Sequence, residues 1–297
     1  QTIAGTLDGS YGPAVAVQTT QTQFGDATDP TGFGGGGELN AMYLNSDGTN
    51  LYVMMTGNQE ANFNKMSLFI DSRAGGENTL ASLNYDFGNV ASNLGGMTFA
   101  QGFEADFHVY GRWGGGAYEV DFVDRQNGAG PVLASSGAAT MGANTGVQSG
   151  AITTGDTVMG GDVVGSALSS EVLFGFNNTN TAGVGSGTAA ADMGAAMAVT
   201  TGSELAIPLS ELGLSVGDEV RLFAGYGNGD NNFWSNQFLP GLPSPGGNLG
   251  GDGNGNFNGT GAVDVSALGF VSYTVVPAPG AAALLGLGGL AAIRRRR

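Results

Sequence analysis

Short apolar or alternating runs, punctuated by glycine, asparagine and aspartate, make up most of this chain. Residues 15–20, 38–44, 51–56, 65–71, 103–112, 117–124, 171–177, 204–209, 220–226 and 270–276 are rich in aliphatic, aromatic and threonine side chains. Runs of this kind bounded by turn residues predict strands. Asp47-Gly48 between the second and third runs is a hairpin signal, and Gly114-Gly115-Gly116 after Trp113 marks another. Ser210-Glu211-Leu212-Gly213 predicts one helical turn, with Ser210 as its cap and Gly213 as its stop. Residues 138–165 are the least strand-like and predict a long excursion. Residues 240–261, dense in Pro, Gly and Asn, predict a surface loop before the last strand. With turns this frequent and no sustained 3.6-residue period, the expected fold is mostly β, an antiparallel β-sandwich of jelly-roll type with little helix. No fixed repeat or linker divides residues 1–276, so they are expected to form one body domain.

Residues 277–297 form a distinct tail. Pro277-Ala278-Pro279 is a short spacer, 280–293 is an apolar run, and Arg294, Arg295, Arg296 and Arg297 close it. As a helix the apolar run would measure roughly 21 Å. A bilayer core needs roughly 30 Å, so the run is marginal as a permanent span. Gly286, Gly288 and Gly289 weaken it further as a helix. The arginines would stay on the cytoplasmic side, which suits transient membrane contact followed by processing. The tail resembles the C-terminal sorting signal of exported bacterial PEP-CTERM proteins, which an exosortase handles. Ala278 stands where that signal carries Glu. The resemblance implies a secreted protein of the cell surface or extracellular matrix. The other reading of the segment is a buried C-terminal core helix.

Composition agrees with export. The chain opens at Gln1 without a basic or apolar leader, so the expectation is that a signal peptide has been removed. It has no Cys, which excludes disulfides and thiol chemistry. Four of the nine basic residues are the terminal arginines, so the body carries five basic against twenty-five acidic residues, a net charge of −20. Such a body is repelled by phosphate backbones, and nucleic acid is excluded as a partner. Lys65 is the only lysine.

Candidate chemistry is sparse. His108, the only histidine, lies in a predicted strand, where a sheet-face histidine with a local hydrogen bond is expected rather than a catalyst. Glu104 with Asp106, and Glu119 with Asp121, share strand faces at i, i+2 and are the carboxylate pairs that could serve glycoside hydrolysis. The ordinary reading is solvated surface acids, and no enzyme activity is expected. Asp252, Asn254, Asn256 and Asn258 place oxygens at alternate positions, as calcium loops do. Phe257 and Val263 stand where an EF-hand-like loop wants Gly and Glu, so only weak Ca²⁺ binding is expected, with local Asx-turns as the alternative. Asp230-Asn231-Asn232, and Asp71 with Glu77 and Asn78, are further oxygen-rich turns. Tyr110, Trp113, Tyr118 and Trp234 are the candidate rings for saccharide stacking, against a reading in which the tryptophans plug the ends of the sandwich.

The segments Leu7-Asp8-Gly9-Ser10-Tyr11-Gly12, Gly57-Asn58, 68–78 and 234–242 resemble exported PEP-CTERM proteins of planctomycete type. The body is also distantly similar to DOMON-like and family 9 carbohydrate-binding sandwiches. The expected function is a non-enzymatic extracellular structural protein, a homo-oligomeric or polymeric subunit of a surface layer, filament or matrix. The alternative is a surface-displayed carbohydrate-binding module whose partner is extracellular polysaccharide.

Overall fold

The computed structural model describes residues 1–24, 36–125, 137–140, 147–154 and 168–277. In chain order the strands are β1 (Ala16–Val17), β2 (Glu38–Ser46), β3 (Asn50–Asn58), β4 (Lys65–Asp71), β5 (Phe107–Gly114), β6 (Ala117–Asp124), β7 (Gly137–Thr140), β8 (Val147–Ile152), β9 (Val172–Asn177), β10 (Gly202–Pro208), β11 (Glu219–Gly227), β12 (Trp234–Leu239) and β13 (Val271–Thr274). Among the described residues the helical elements are two short helices, α1 (Met193–Ala198) and α2 (Leu209–Leu212), and two 3-10 segments, Phe87–Leu94 and Ser266–Leu268. Among the described residues no helix is long and apolar enough to cross a membrane.

The strands form two antiparallel sheets packed face to face. The first runs β1-β2-β3-β10-β9-β8 and the second β12-β11-β4-β5-β6-β7, with β13 also pairing β11. β12 meets the Ala224–Gly227 half of β11 and β13 meets the Glu219–Leu222 half, so the two together line one edge. Alternate residues of each strand point inward, as the two-residue period requires. Leu39, Met42, Leu51, Val53, Phe174, Phe176 and Leu205 of the first sheet meet Leu68, Ile70, Val109, Val120, Phe122 and Leu222 of the second in one apolar core. Tyr118 spans the layers: its ring stacks on Phe176, with centroids 4.1 Å apart, and its hydroxyl lies 2.9 Å from Ser203 Oγ.

The outer face of each sheet is covered too. On the first sheet, the N-terminal residues Ile3, Leu7, Tyr11 and Ala14 lie over Tyr43, Tyr52, Met54 and Ala206. The buried carboxylate of Glu204 anchors this cover, accepting from Ala4 N, Gly5 N, Gln1 Nε2 and the Tyr11 hydroxyl. On the second sheet, Leu80, Leu94, Met97, Phe99, Phe103, Leu249, Val263 and Val265 close over Phe69, Phe223, Trp234 and Phe238. This second core leaves the outer face uncovered toward the β5–β6 turn, where the cleft described below opens.

Most of the predicted runs are strands, and 65–71 and 117–124 match β4 and β6 in their bounds. Four expectations are corrected. The 138–165 segment, expected as a long excursion, holds most of β7 and all of β8 among its described residues. Residues 103–106 precede β5 because Phe103 and Ala105 turn into the second core. The helical turn begins at Leu209 with Pro208, not Ser210, at its cap position, while Gly213 ends it at φ 68° as anticipated. The 240–261 segment is not wholly superficial, since Leu242 and Leu249 are buried. β12 escaped notice because its Ser235, Asn236 and Gln237 are polar yet fully buried. They are satisfied by other chain segments: Asn236 Nδ2 donates to Gln21 O at 2.6 Å, and Gln237 Oε1 accepts from Leu39 N at 2.7 Å.

Candidate functional site

At the β5–β6 end of the second sheet, a cleft of about 890 Å³ opens on the outer face. Its floor is a patch of cross-strand neighbours. Lys65 on β4 is in register with Arg112 on β5, and Arg112 with Glu119 on β6. Asp121 follows two positions along β6 on the same face. Asp86 enters from the covering layer as the cap of the first 3-10 turn, accepting from Phe87 N at 2.7 Å.

These side chains form one buried ionic network. Asp86 accepts from Lys65 Nζ, from Arg112 Nη1 at 3.4 Å and from Asn231 Nδ2 at 3.3 Å. Arg112 also binds Asp121 through Nη1 and Glu119 through Nε, the latter at 2.9 Å. Lys65 gives a further hydrogen bond to Gly229 O. Burial draws the Lys65 amine below its usual value against the pull of Asp86. Burial pushes the Asp121 carboxyl up to about 6, with Arg112 opposing and Asp86 reinforcing. For Arg112, burial works against the charge, but Asp121, Asp86 and Glu119 outweigh it and hold the guanidinium protonated. Buried charges persist only when paired this way.

The mouth is aromatic. Phe63 and Phe87 line the cleft with 47% and 67% of their surface exposed. Phe63 sits in left-handed backbone, φ 64°, held by its N–H to Trp113 O at 2.9 Å. Its ring lies on Gly114, where a Cβ would stand 2.5 Å from a ring carbon, so the glycine-rich turn is the seat for this side chain. Among the described residues, the non-glycine positions with positive φ are Phe63, Asn89 and Asn231. Asn89 donates its N–H to Asp86 O, and Asn231 donates to the Asp86 carboxylate. Phe63 thus lines the cleft, and the other two outliers bond to Asp86 in its floor. Such conformations cost free energy and persist where surrounding structure enforces them, often at functional sites.

The residues singled out from sequence fall in other places. Tyr110, Trp113, Tyr118 and Trp234 are all buried, which corrects their reading as exposed stacking rings. Trp234 belongs to β12 and donates Nε1–H to Gly261 O at 3.1 Å, filling the second core. Tyr110 lies under the charged floor, with Lys65 Nζ and the Arg112 guanidinium 5.4 and 5.5 Å from its ring centre.

His108 is fully buried against Phe69. Burial, aided by Arg125 and Lys65, lowers its pKa well below the usual range, so the ring is neutral. Arg125 Nη1 donates to the Tyr85 hydroxyl at 2.9 Å, and that hydroxyl lies 2.8 Å from His108 Nδ1. The Tyr85 hydroxyl accepts from the guanidinium, which leaves its proton for Nδ1; in that tautomer Nε2–H donates to Ser67 Oγ at 3.0 Å.

Of the carboxylate pairs, Glu104 is exposed whereas Asp106 is buried and accepts from Ser72 N and Arg73 N. Glu119 and Asp121 do come together, but on Arg112 at the cleft floor. Asp252 turns its oxygens inward, accepting from Asn254 N at 2.9 Å, Asn256 N at 3.0 Å and Asn256 Nδ2 at 2.8 Å. Asn258 bridges Gly251 O and Thr260 N in the same manner. Among the described residues, no group of three or more His, Cys, Asp or Glu side chains is placed to hold a metal ion. Asn78 spends its amide on the carbonyls of Phe99, Ala100 and Phe103, and Asp71 accepts from Glu104 N and Arg221. Pro277 ends the described segment, and Pro279 and Arg294, Arg295, Arg296 and Arg297 lie outside the described residues.

Sequence reasoning missed Phe63, Phe87 and Asp86. One available signal was Lys65: a solitary lysine at the head of an apolar strand needs a buried partner. Comparison with known proteins supplies no assignment, for the chain matches no protein-family model, no curated protein and no solved structure.

Proposed function

We propose that the protein is a secreted, non-enzymatic binding module that takes a saccharide in the Phe63–Phe87 cleft. The supporting observation is the pairing of two exposed rings with a floor of fixed hydrogen-bonding side chains. Sugars present apolar C–H faces and hydroxyl edges together, and a ring beside carboxylate, guanidinium and amide groups meets both. Two exposed rings gathered at one cleft, with polar groups around them, make the kind of patch that marks ligand sites. Glu119 and Asp121 are both engaged by Arg112, which suits binding better than acid–base turnover. Isothermal titration against a panel of oligosaccharides tests the reading, with Phe63→Ala and Phe87→Ala as controls. Millimolar or tighter binding that either substitution abolishes is expected. Binding that survives both substitutions would place the site elsewhere and refute the proposal.

Assembly is retained as a second reading on one observation. Val216 and Val276 leave apolar surface exposed where residues 277–297 begin, next to the Gly217 N to Val275 O hydrogen bond. An apolar tail starting there could seat against a neighbouring copy, and tail truncation tests it, as set out below.

A further inference from the structure

We infer that the cleft selects an amino sugar, a saccharide carrying a protonated amine, over neutral and acidic saccharides. The inference rests on the saccharide reading above and adds the charge of the ligand to it.

The argument begins with the balance of the floor. Lys65 and Arg112 face the three carboxylates of Asp86, Asp121 and Glu119, which leaves one negative charge over. Asp230, exposed on the turn after β11, adds another at the cleft wall. Accessibility then decides which charge a ligand meets. The Lys65 side chain is 3% exposed and Arg112 11%, whereas Glu119 is 31% exposed. Both cations point their donors at carboxylates and at Gly229 O. An acidic sugar would have to displace those partners at the cost of breaking a buried network. A cationic group needs no such displacement, since Glu119 stays part-exposed while it accepts from Arg112, and Asp230 is exposed at the cleft wall.

The rings act in the same direction. Aromatic faces carry partial negative charge and attract ammonium groups within about 6 Å of the ring centre. Phe63 and Phe87 present such faces beside the open carboxylates. The body charge of −20 draws cations toward the surface and repels acidic polysaccharide. Rings and carboxylates are thus gathered in one cleft.

The test is titration of the full chain with four probes: a glucosamine oligomer, its N-acetylated counterpart, a galacturonate oligomer and an oligolysine of matched charge. We expect the glucosamine oligomer to bind about tenfold more tightly than the N-acetylated one, with the preference reduced by added salt. Glu119→Gln should remove most of that preference. Asp230→Asn, on an exposed turn, should reduce it without touching the buried network. Equal binding of glucosamine and N-acetylated oligomers, or tighter binding of galacturonate, would overturn the inference and leave the saccharide reading intact. Tighter binding of oligolysine than of any sugar would show a cleft that reads charge alone, and would overturn it as well. Absence of binding to every saccharide would overturn both.

Discussion

The Lys65–Asp86 pair offers the sharpest test of the cleft floor. The two side chains are 3% and 2% exposed, so neither charge can be recovered by water when its partner is removed. Two charges about 4 Å apart at an effective dielectric of about 20 interact by about 4 kcal/mol, and breaking a buried pair costs about 3–5 kcal/mol. The structure makes the two single substitutions unequal. Lys65→Met leaves Asp86 with Phe87 N, Asn231 Nδ2 and Arg112 Nη1 as donors, so its cost should be about 1–3 kcal/mol. Asp86→Asn leaves the Lys65 ammonium in the interior without its counter-charge, with only neutral acceptors such as Gly229 O, and should cost about 3–5 kcal/mol. In the double variant the stranded amine is gone, so it should be more stable than Asp86→Asn by itself. Equilibrium urea denaturation of the four proteins at pH 7 measures this cycle. Saccharide binding should fall with Asp86→Asn too, because the Asp86 carboxylate holds the backbone that carries Phe87. A double variant whose cost equals the sum of the singles, or an Asp86→Asn cost below about 1 kcal/mol, would show that the pair is not coupled in a dry interior.

Four other outcomes are expected. At position 63 the left-handed backbone favours Gly over Ala, so Phe63→Gly should be more stable than Phe63→Ala by about 1 kcal/mol in chemical denaturation, with binding lost in both; the usual Ala-over-Gly order would refute the strained backbone. Asp121, raised to about 6 in the fold against about 3.9 unfolded, contributes stability fully present below pH 4 and lost as pH rises through 6. Lowering the pH from 7 to 5 should therefore stabilise the native protein by roughly 1 kcal/mol relative to Asp121→Asn, and a constant difference between the two would count against the raised value. If the 252–258 loop binds Ca²⁺, millimolar calcium should raise the melting temperature and Asp252→Ala should cancel the rise; no shift leaves the hydrogen-bonded turn as its whole role. Truncation after Val276 should reduce particle size in light scattering if the tail drives assembly, whereas unchanged polymers would exclude it.

The sequence by itself determined the class of fold. Strands whose inward positions are apolar, such as β4 and β6, announce themselves through their two-residue period and the turns that bound them, because burial against the opposite sheet is what selects those residues. β12 stayed hidden because Asn236 and Gln237 are buried by hydrogen bonds to residues 21 and 39, partners roughly two hundred positions away that no local pattern records. The site depended on tertiary structure to a greater degree. Tyr110, Trp113, Tyr118 and Trp234 looked like exposed rings beside glycine-rich turns, yet a large ring next to a strand is free to fill whichever core the fold presents. Phe63 and Phe87 are no different in composition from other phenylalanines of the chain. They stand in solvent because left-handed backbone at Phe63 and the Asp86 cap before Phe87 turn them out over Lys65 and Arg112. The charged floor joins strands β4, β5 and β6 to a residue of the covering layer, and only the packing of that layer onto the sheet brings the carboxylate of Asp86 to the chain's single lysine.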